Sequence, residues 1–224
     1  MKYNSEYVGA SERKSAFDIS YSPLRKNRDL VIFCHGYKGF KDWGPWSPLA
    51  LSFVSSGYDF LKFNFSHNGG TIDNPIDFPD TDAFAQNTYS KELRDIECIL
   101  ERVEEGFQLG NEKRNYDRIH LIGHSRGGGM AILAAAKFPQ INKLITWAAV
   151  SDFSARFNFD MVKWKADGVI HVKNTRTDQL LPHNYSFYTD FVDNHKELDI
   201  PSCAKKLKLP WLIAHGQDDE AVSI

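Results

Sequence analysis

The stretch RIHLIGHSRGGGMAILAAAKFP (Arg118–Pro139) decides the fold. Arg118–Gly123 is a short, mostly apolar run that reads as a buried strand, and Ser125–Pro139 reads as a helix stopped by its proline. Between them, Gly123-His124-Ser125-Arg126-Gly127 places a glycine two residues before and two residues after a serine. A strand that turns directly into a helix must pass through a sharp, strained bend. Side chains two before and two after the bend would collide with the turn, so both positions are glycine. Ser125 Oγ then stands exposed above the sheet, and the N–H groups and positive end of the new helix aim at the same spot.

Working outward, the flanking segments alternate strand and helix. LVIFCHG (Leu30–Gly36) and RIHLIG read as strands buried on both faces. DFLKFNF (Asp59–Phe65), KLITWAAV (Lys143–Val150) and PWLIAHG (Pro210–Gly216) supply further strands. PWSPLALSFVSSG (Pro45–Gly57) has helical spacing, with Pro45 near its start and Gly57 at its end. SKELRDIECILERVEEG (Ser90–Gly106) is amphipathic: Leu93, Ile96, Ile99, Leu100 and Val103 make one stripe. The first 21 residues suit an edge hairpin. This alternation implies an α/β fold with a mostly parallel sheet covered by helices. The stretch of about 151–208 breaks it. It is aromatic-rich and irregular, with a possible hairpin around GVIHVKN and a short helix around YSFYTDFVDN, and is read as a cap inserted into a single domain spanning 1–224.

Composition narrows the function classes. The net charge of −2 gives no basic field for nucleic acid. No apolar run reaches the roughly 18 residues of a membrane span, and the polar N-terminus lacks the apolar core of a secretory signal. Cys34, Cys98 and Cys203 are odd in number and far apart, as in reduced, cytoplasmic chains. The acidic loop of Asp73, Asp77, Asp80 and Asp82 has no recognised metal-ligand spacing and reads as solvated. Gly127–Gly129 lacks the G-x-G-x-x-G spacing of a nucleotide loop. No cofactor and no metal is expected.

The Gly123–Gly127 motif in its strand–turn–helix setting resembles the nucleophile elbow of the α/β-hydrolase superfamily, and the resemblance runs through nearly the whole chain. It implies an α/β-hydrolase fold with a small cap and Ser125 as nucleophile. His35-Gly36 resembles the superfamily's oxyanion loop, so the backbone N–H groups of Tyr37 and Arg126 would form the oxyanion hole. GQDDEAVS resembles the segment carrying the triad acid, which follows a glycine by three positions and precedes a valine by three. Gly216, Asp219 and Val222 fit that spacing; Asp218, one position early, and Asp152, after the Lys143–Val150 strand, are alternatives. FNFSHNGG and the cap are most similar to bacterial small-cap esterases of the cinnamoyl or feruloyl type. The implied activity is hydrolysis of a small-molecule carboxylic ester through an acyl-enzyme, and thioester or peptide cleavage would use the same route.

In this fold the histidine base follows the acid, and none of the eight histidines follows Asp219. The resemblance therefore implies that the chain stops short of a final strand, a histidine-bearing loop and a last helix. His67, on a loop, is a candidate substitute base. His35 and His124 belong to the oxyanion loop and the elbow, His120 is mid-strand, and His215 reads as structural. His171, His183 and His195 read as solvated or packed in the cap. A non-catalytic binding protein that keeps the elbow but lacks the base is the alternative from another class. The cap aromatics Phe153, Phe157, Phe159, Trp164, Tyr185, Phe187 and Tyr188 suit either an acyl pocket or the cap's own core. Oligomeric state is not legible.

Overall fold

The computed structural model describes residues 1–25 and 28–223. Strands β1 (Lys2–Val8) and β2 (Lys14–Ser20) form an antiparallel hairpin, followed by β3 (Asp29–Cys34), α1 (Trp46–Ser55) and β4 (Asp59–Phe63). Next come α2 (Thr81–Ala85), α3 (Tyr89–Glu104), a small hairpin of β5 (Phe107–Leu109) and β6 (Glu112–Arg114), then β7 (Arg118–His124), α4 (Arg126–Lys137) and β8 (Ile141–Trp147). The segment after β8 holds α5 (Met161–Asp167), a hairpin of β9 (Val169–Lys173) and β10 (Leu180–Asn184), α6 (Ser186–Asp193) and α7 (Ile200–Ala204); β11 (Trp211–Ala214) follows.

Among the described residues, one sheet runs in the order β1-β2-β4-β3-β7-β8-β11. From β4 to β11 its strands are parallel, and β2 joins β4 antiparallel. The chain leaves β3 on one side to make β4, then crosses to the other side to make β7, β8 and β11. Connections therefore diverge at the C-terminal ends of β3 and β7, and a crevice opens where strand order reverses.

Alternation along the strands sends successive residues to opposite faces. Ile32, Leu61, Leu121 and Leu144 join the larger core under α3 and α4, with Ile96, Ile99, Met130 and Leu133. Val31, Phe33, Phe60 and Ile122 meet Trp46 and Ala50 of α1 on the other face. The α3 stripe is buried as its period requires, but the helix starts earlier than the Ser90 reading. The Thr88 side chain accepts the Lys91 N–H at 3.2 Å and caps it. The hairpin β5–β6 and helix α2 were not legible from hydrophobic period, each being too short to show one. At the sheet's edge, Leu212 and Ile213 of β11 are 61% and 63% exposed. Among the described residues, no helix is long and apolar enough to cross a membrane.

Candidate active site

The β7–α4 junction bends through Ser125, whose φ of 56° and ψ of −123° lie in a region that non-glycine residues rarely occupy. Neighbouring bonds hold the strain. Ser125 N–H donates to the Trp147 carbonyl at 3.0 Å, and its own carbonyl accepts N–H groups from Gly128 and Val150, both at 3.0 Å. A Cβ on Gly123 would lie 2.3 Å from the Gly127 carbonyl oxygen, inside the turn. A Cβ on Gly127 would lie 2.3 Å from the carbonyl oxygens of both Cys34 and His35. The second glycine is thus required by the end of β3 rather than by the turn itself.

A cavity of about 360 Å³ opens beside Ser125. Tyr37, Arg126 and Val150 form its wall near the serine, and Phe153, Phe159 and Phe187 come from the segment after β8. The aromatic group singled out in the sequence therefore divides. Phe157 and Trp164 pack into the core instead, and Trp164 Nε1 donates to the His183 carbonyl at 3.0 Å. Ala221 and Val222 complete the wall from the chain's last stretch.

The two expected oxyanion donors border the same space. Among the described residues, the backbone N–H groups of Tyr37 and Arg126 have no hydrogen-bond acceptor. The loop carrying Tyr37 is held by residues of the next strand end. Lys41 N–H donates to Asn64 Oδ1 at 2.7 Å, and Phe65 N–H donates to His35 Nε2 at 3.3 Å. Beneath it lies a buried charge cluster, in which Lys41 Nζ meets Asp18 at 2.7 Å and Lys62 Nζ meets Asp42 at 2.9 Å. Burial pushes the His35 pKa down to about 4, so its ring is neutral at neutral pH.

The oxyanion role expected from the motif uses only the Arg126 backbone N–H and gives its side chain no part. In the structure its guanidinium is buried against the cavity. Nη1 donates to Glu92 Oε1 at 3.2 Å, and the group lies 4.1 Å from the Tyr37 ring centroid and 5.2 Å from those of Tyr89 and Phe187. Burial disfavours the charge, but the Glu92 carboxylate outweighs it with help from the two tyrosines, and the pKa rises. Glu92 is also fixed by Asn87 Nδ2 at 2.7 Å. Across the cavity, Tyr37 Oη lies 2.6 Å from His183 Nε2. Burial, then the nearby Arg126 and Lys38 charges, push the His183 pKa down to about 3. His183 is thus a packed neutral residue, not a solvated one. Glu92, Tyr89 and Arg156 escape the sequence reading, and His183 enters it only as a cap histidine, because nothing in local spacing ties them to Ser125; the fold alone brings them together.

The candidate acids differ in what occupies them. Asp219 Oδ1 accepts N–H bonds from Ala221 and Val222, both at 2.9 Å, and its Oδ2 lies 3.7 Å from His215 Nε2. The Val222 N–H chiefly lowers its pKa, with Ala221, His215 and His124 acting the same way. Asp152 is taken up by Ser154, whose N–H and Oγ each donate to it at 2.7 Å, and Asp218 is exposed. Among the described residues no histidine hydrogen-bonds Ser125 Oγ. His67 is buried off the cavity against Ser66 Oγ at 2.8 Å, and His215 bonds the Val222 carbonyl at 2.7 Å.

A strained serine at a strand–helix turn, two free N–H groups beside it and a crevice at the sheet's reversal are the features of the α/β-hydrolase fold. Residues 29–168 match the α/β-hydrolase fold family, and the chain belongs to it. An uncharacterized peptidase, YtmA of Bacillus subtilis, is 30% identical over 114 residues, covering 48% of this chain and 37% of that protein. The match thus spans well under half of the curated relative's length. Among solved structures, a putative hydrolase from Agrobacterium vitis superposes with a TM-score of 0.73 at 15% identity, covering 100% of this chain and 81% of its own. Est1E of Butyrivibrio proteoclasticus, with ferulic acid bound, gives 0.73 at 18% identity, covering 98% and 81%. At these identities the likeness carries the fold.

Proposed function

We propose that this protein is a serine hydrolase acting on carboxylic esters, with Ser125 as the nucleophile that forms an acyl-enzyme. The observation that carries the reading is the strained Ser125 standing at the mouth of a cavity beside two backbone N–H groups without acceptors. In the first step Ser125 Oγ attacks the ester carbonyl carbon, and the carbonyl π electrons move onto its oxygen. The N–H groups of Tyr37 and Arg126 receive that oxyanion, and collapse expels the alcohol. In the triad pattern a histidine oriented by Asp219 takes the serine proton and returns it to the departing alkoxide, and none of the described histidines occupies that position. The two local N–H bonds to Asp219 fix its carboxylate and favour its charged form. The cap segment, about 151–208, supplies the aromatic wall that contacts the substrate, within one domain. Peptide or thioester cleavage would use the same acyl-enzyme.

A second reading has its own observation. None of the described histidines reaches Ser125 Oγ, so a binding protein that keeps the elbow without turnover is the rival. Labelling with a fluorophosphonate, followed by an aryl-ester assay on the product of the complete reading frame, separates the two. The hydrolase reading expects covalent label on Ser125, lost in Ser125→Ala, and burst release of the phenol. Absence of both label and turnover favours the rival.

A further inference from the structure

The polar groups of the Ser125 cavity are unbalanced in sign. The acids near it have local partners: Asn87 and Arg126 both donate to Glu92 Oε1, leaving Oε2 buried without a partner, Ser154 donates to Asp152, and two backbone N–H groups donate to Asp219. Arg126 presents its guanidinium in the wall with only one nitrogen bonded to Glu92. Arg156, also in the wall, donates to the Ala221 carbonyl at 3.0 Å and has no carboxylate partner among the described residues. Lys38 lies outside this pair, with its ammonium 5.1 Å from the Tyr37 ring centroid.

The uncharged groups lean the same way. The Tyr89 hydroxyl and His183 Nδ1 are buried without a hydrogen-bond partner, and both residues line the cavity. If Tyr37 Oη donates to His183 Nε2, the neutral ring carries its proton on Nδ1 as an unused donor; in the other tautomer Nδ1 is an acceptor. A cavity with one cation to spare at its exposed rim and an unused Tyr89 hydroxyl inside is complementary to an anion. A guanidinium fork fits a carboxylate through two parallel N–H bonds.

We infer that the cavity selects esters whose acyl group ends in a carboxylate, with Arg156 as the residue that meets that carboxylate and Arg126 as the buried charge behind it. The inference rests on the hydrolase reading for the position of the ester carbonyl at Ser125. The acidic end is held in the cavity irrespective of turnover.

The test is therefore a binding measurement made on the full chain carrying Ser125→Ala. Calorimetry compares monophenyl glutarate with phenyl pentanoate, which has similar length but ends in a methyl group. The half-ester is expected to bind at least about tenfold more tightly, which is about 1.4 kcal/mol. The preference is expected to shrink as salt rises and to fall to about twofold or less in Arg156→Gln, an exposed position where folding is not in question. Equal affinities, no binding of the half-ester, or a preference untouched by Arg156→Gln would overturn the inference. Fluorophosphonate labelling of the wild-type chain reports separately on Ser125. Label without half-ester preference removes the anion selectivity alone, and preference without label removes the hydrolase reading alone.

Discussion

Two hollows of similar size open on this sheet, about 360 Å³ beside Ser125 and about 330 Å³ beside α1, and their walls have little in common. The second is a groove along the sheet face, walled by Val31, Phe53, Ile122, Leu144 and Trp211 among others. Its polar members are Lys143 and His120, whose ring nitrogens are buried without hydrogen-bond partners. The first lies beyond the C-terminal strand ends, where the strand order reverses. It combines backbone strain, free N–H donors and a buried cation. Apolar volume is thus a poor guide to chemistry here. What separates the two is convergence of donors and charge on one point, and such convergence must be held by close-packed backbone.

The largest effect that could break this contrast lies at the acid. If Asp219 orients the base, Asp219→Asn should lower kcat by about 10³–10⁴-fold, while Asp218→Asn should change it by less than about threefold. Steady-state kinetics on an aryl ester decides between them, and equal losses would remove Asp219 from its role. Next comes the elbow. Gly127→Ala drives a methyl group against two backbone carbonyl oxygens of the β3 end that cannot step aside. Thermal unfolding should show a loss of about 3 kcal/mol or more. In the groove, Ile145→Val should cost about 1 kcal/mol, because it removes one methylene from a half-buried site. Comparable losses at the two positions would erase the difference in packing demand.

Acidification should weaken the fold as well. His35, His67 and His183 are held neutral by burial, with pKa values pushed down to about 4, about 4 and about 3. Unfolding frees each to take a proton near its ordinary value, so the unfolded state binds more protons below about pH 6.5, and stability falls as pH drops toward 4. Each histidine contributes a slope of about 1.4 kcal/mol per pH unit inside that window. Asp95 works in the opposite direction. Burial raises its pKa to about 7, so its protonated form stabilises the fold as pH drops toward its unfolded value. Three histidines against one carboxyl leave a net loss on acidification. Denaturant titrations at pH 7 and pH 5 should show it, and His183→Gln should reduce the slope.

The elbow was legible because the requirement is local. Gly123, Ser125 and Gly127 sit within five residues and meet each other or the adjacent strand end, so spacing alone exposes them. The parallel sheet was legible for the same reason, since Leu30–Cys34 is a continuous apolar run and Ile119–Ile122 is broken only by His120. The remainder of the cavity was not. Arg126 is one residue from Ser125, yet its partner Glu92 lies 34 positions earlier, and Tyr37 and His183 meet across 146 positions. Side-chain pairs of that range leave no periodic trace. Asn64 shows the intermediate case: its place after β4 was visible, but its bond to the Lys41 N–H that steadies the loop carrying Tyr37 was not.

The smallest expected effect tests the open edge. Leu212 and Ile213 are more than half exposed, so folding already leaves much of their apolar surface in water. Replacing Leu212 with Lys removes little buried area, and stability should move by less than about 0.5 kcal/mol. Association should respond much more. Among the described residues β11 has a strand neighbour on one side only, and such an edge with two adjacent exposed aliphatic side chains is a template for another strand; a lysine there adds charge that opposes pairing. Light scattering of the chain at increasing concentration should show less self-association for Leu212→Lys than for the parent, with fluorophosphonate labelling at Ser125 unchanged. A large loss of stability instead would mean that this face contributes to the core, and the contrast between a closed site and an open groove would have to be redrawn around β11.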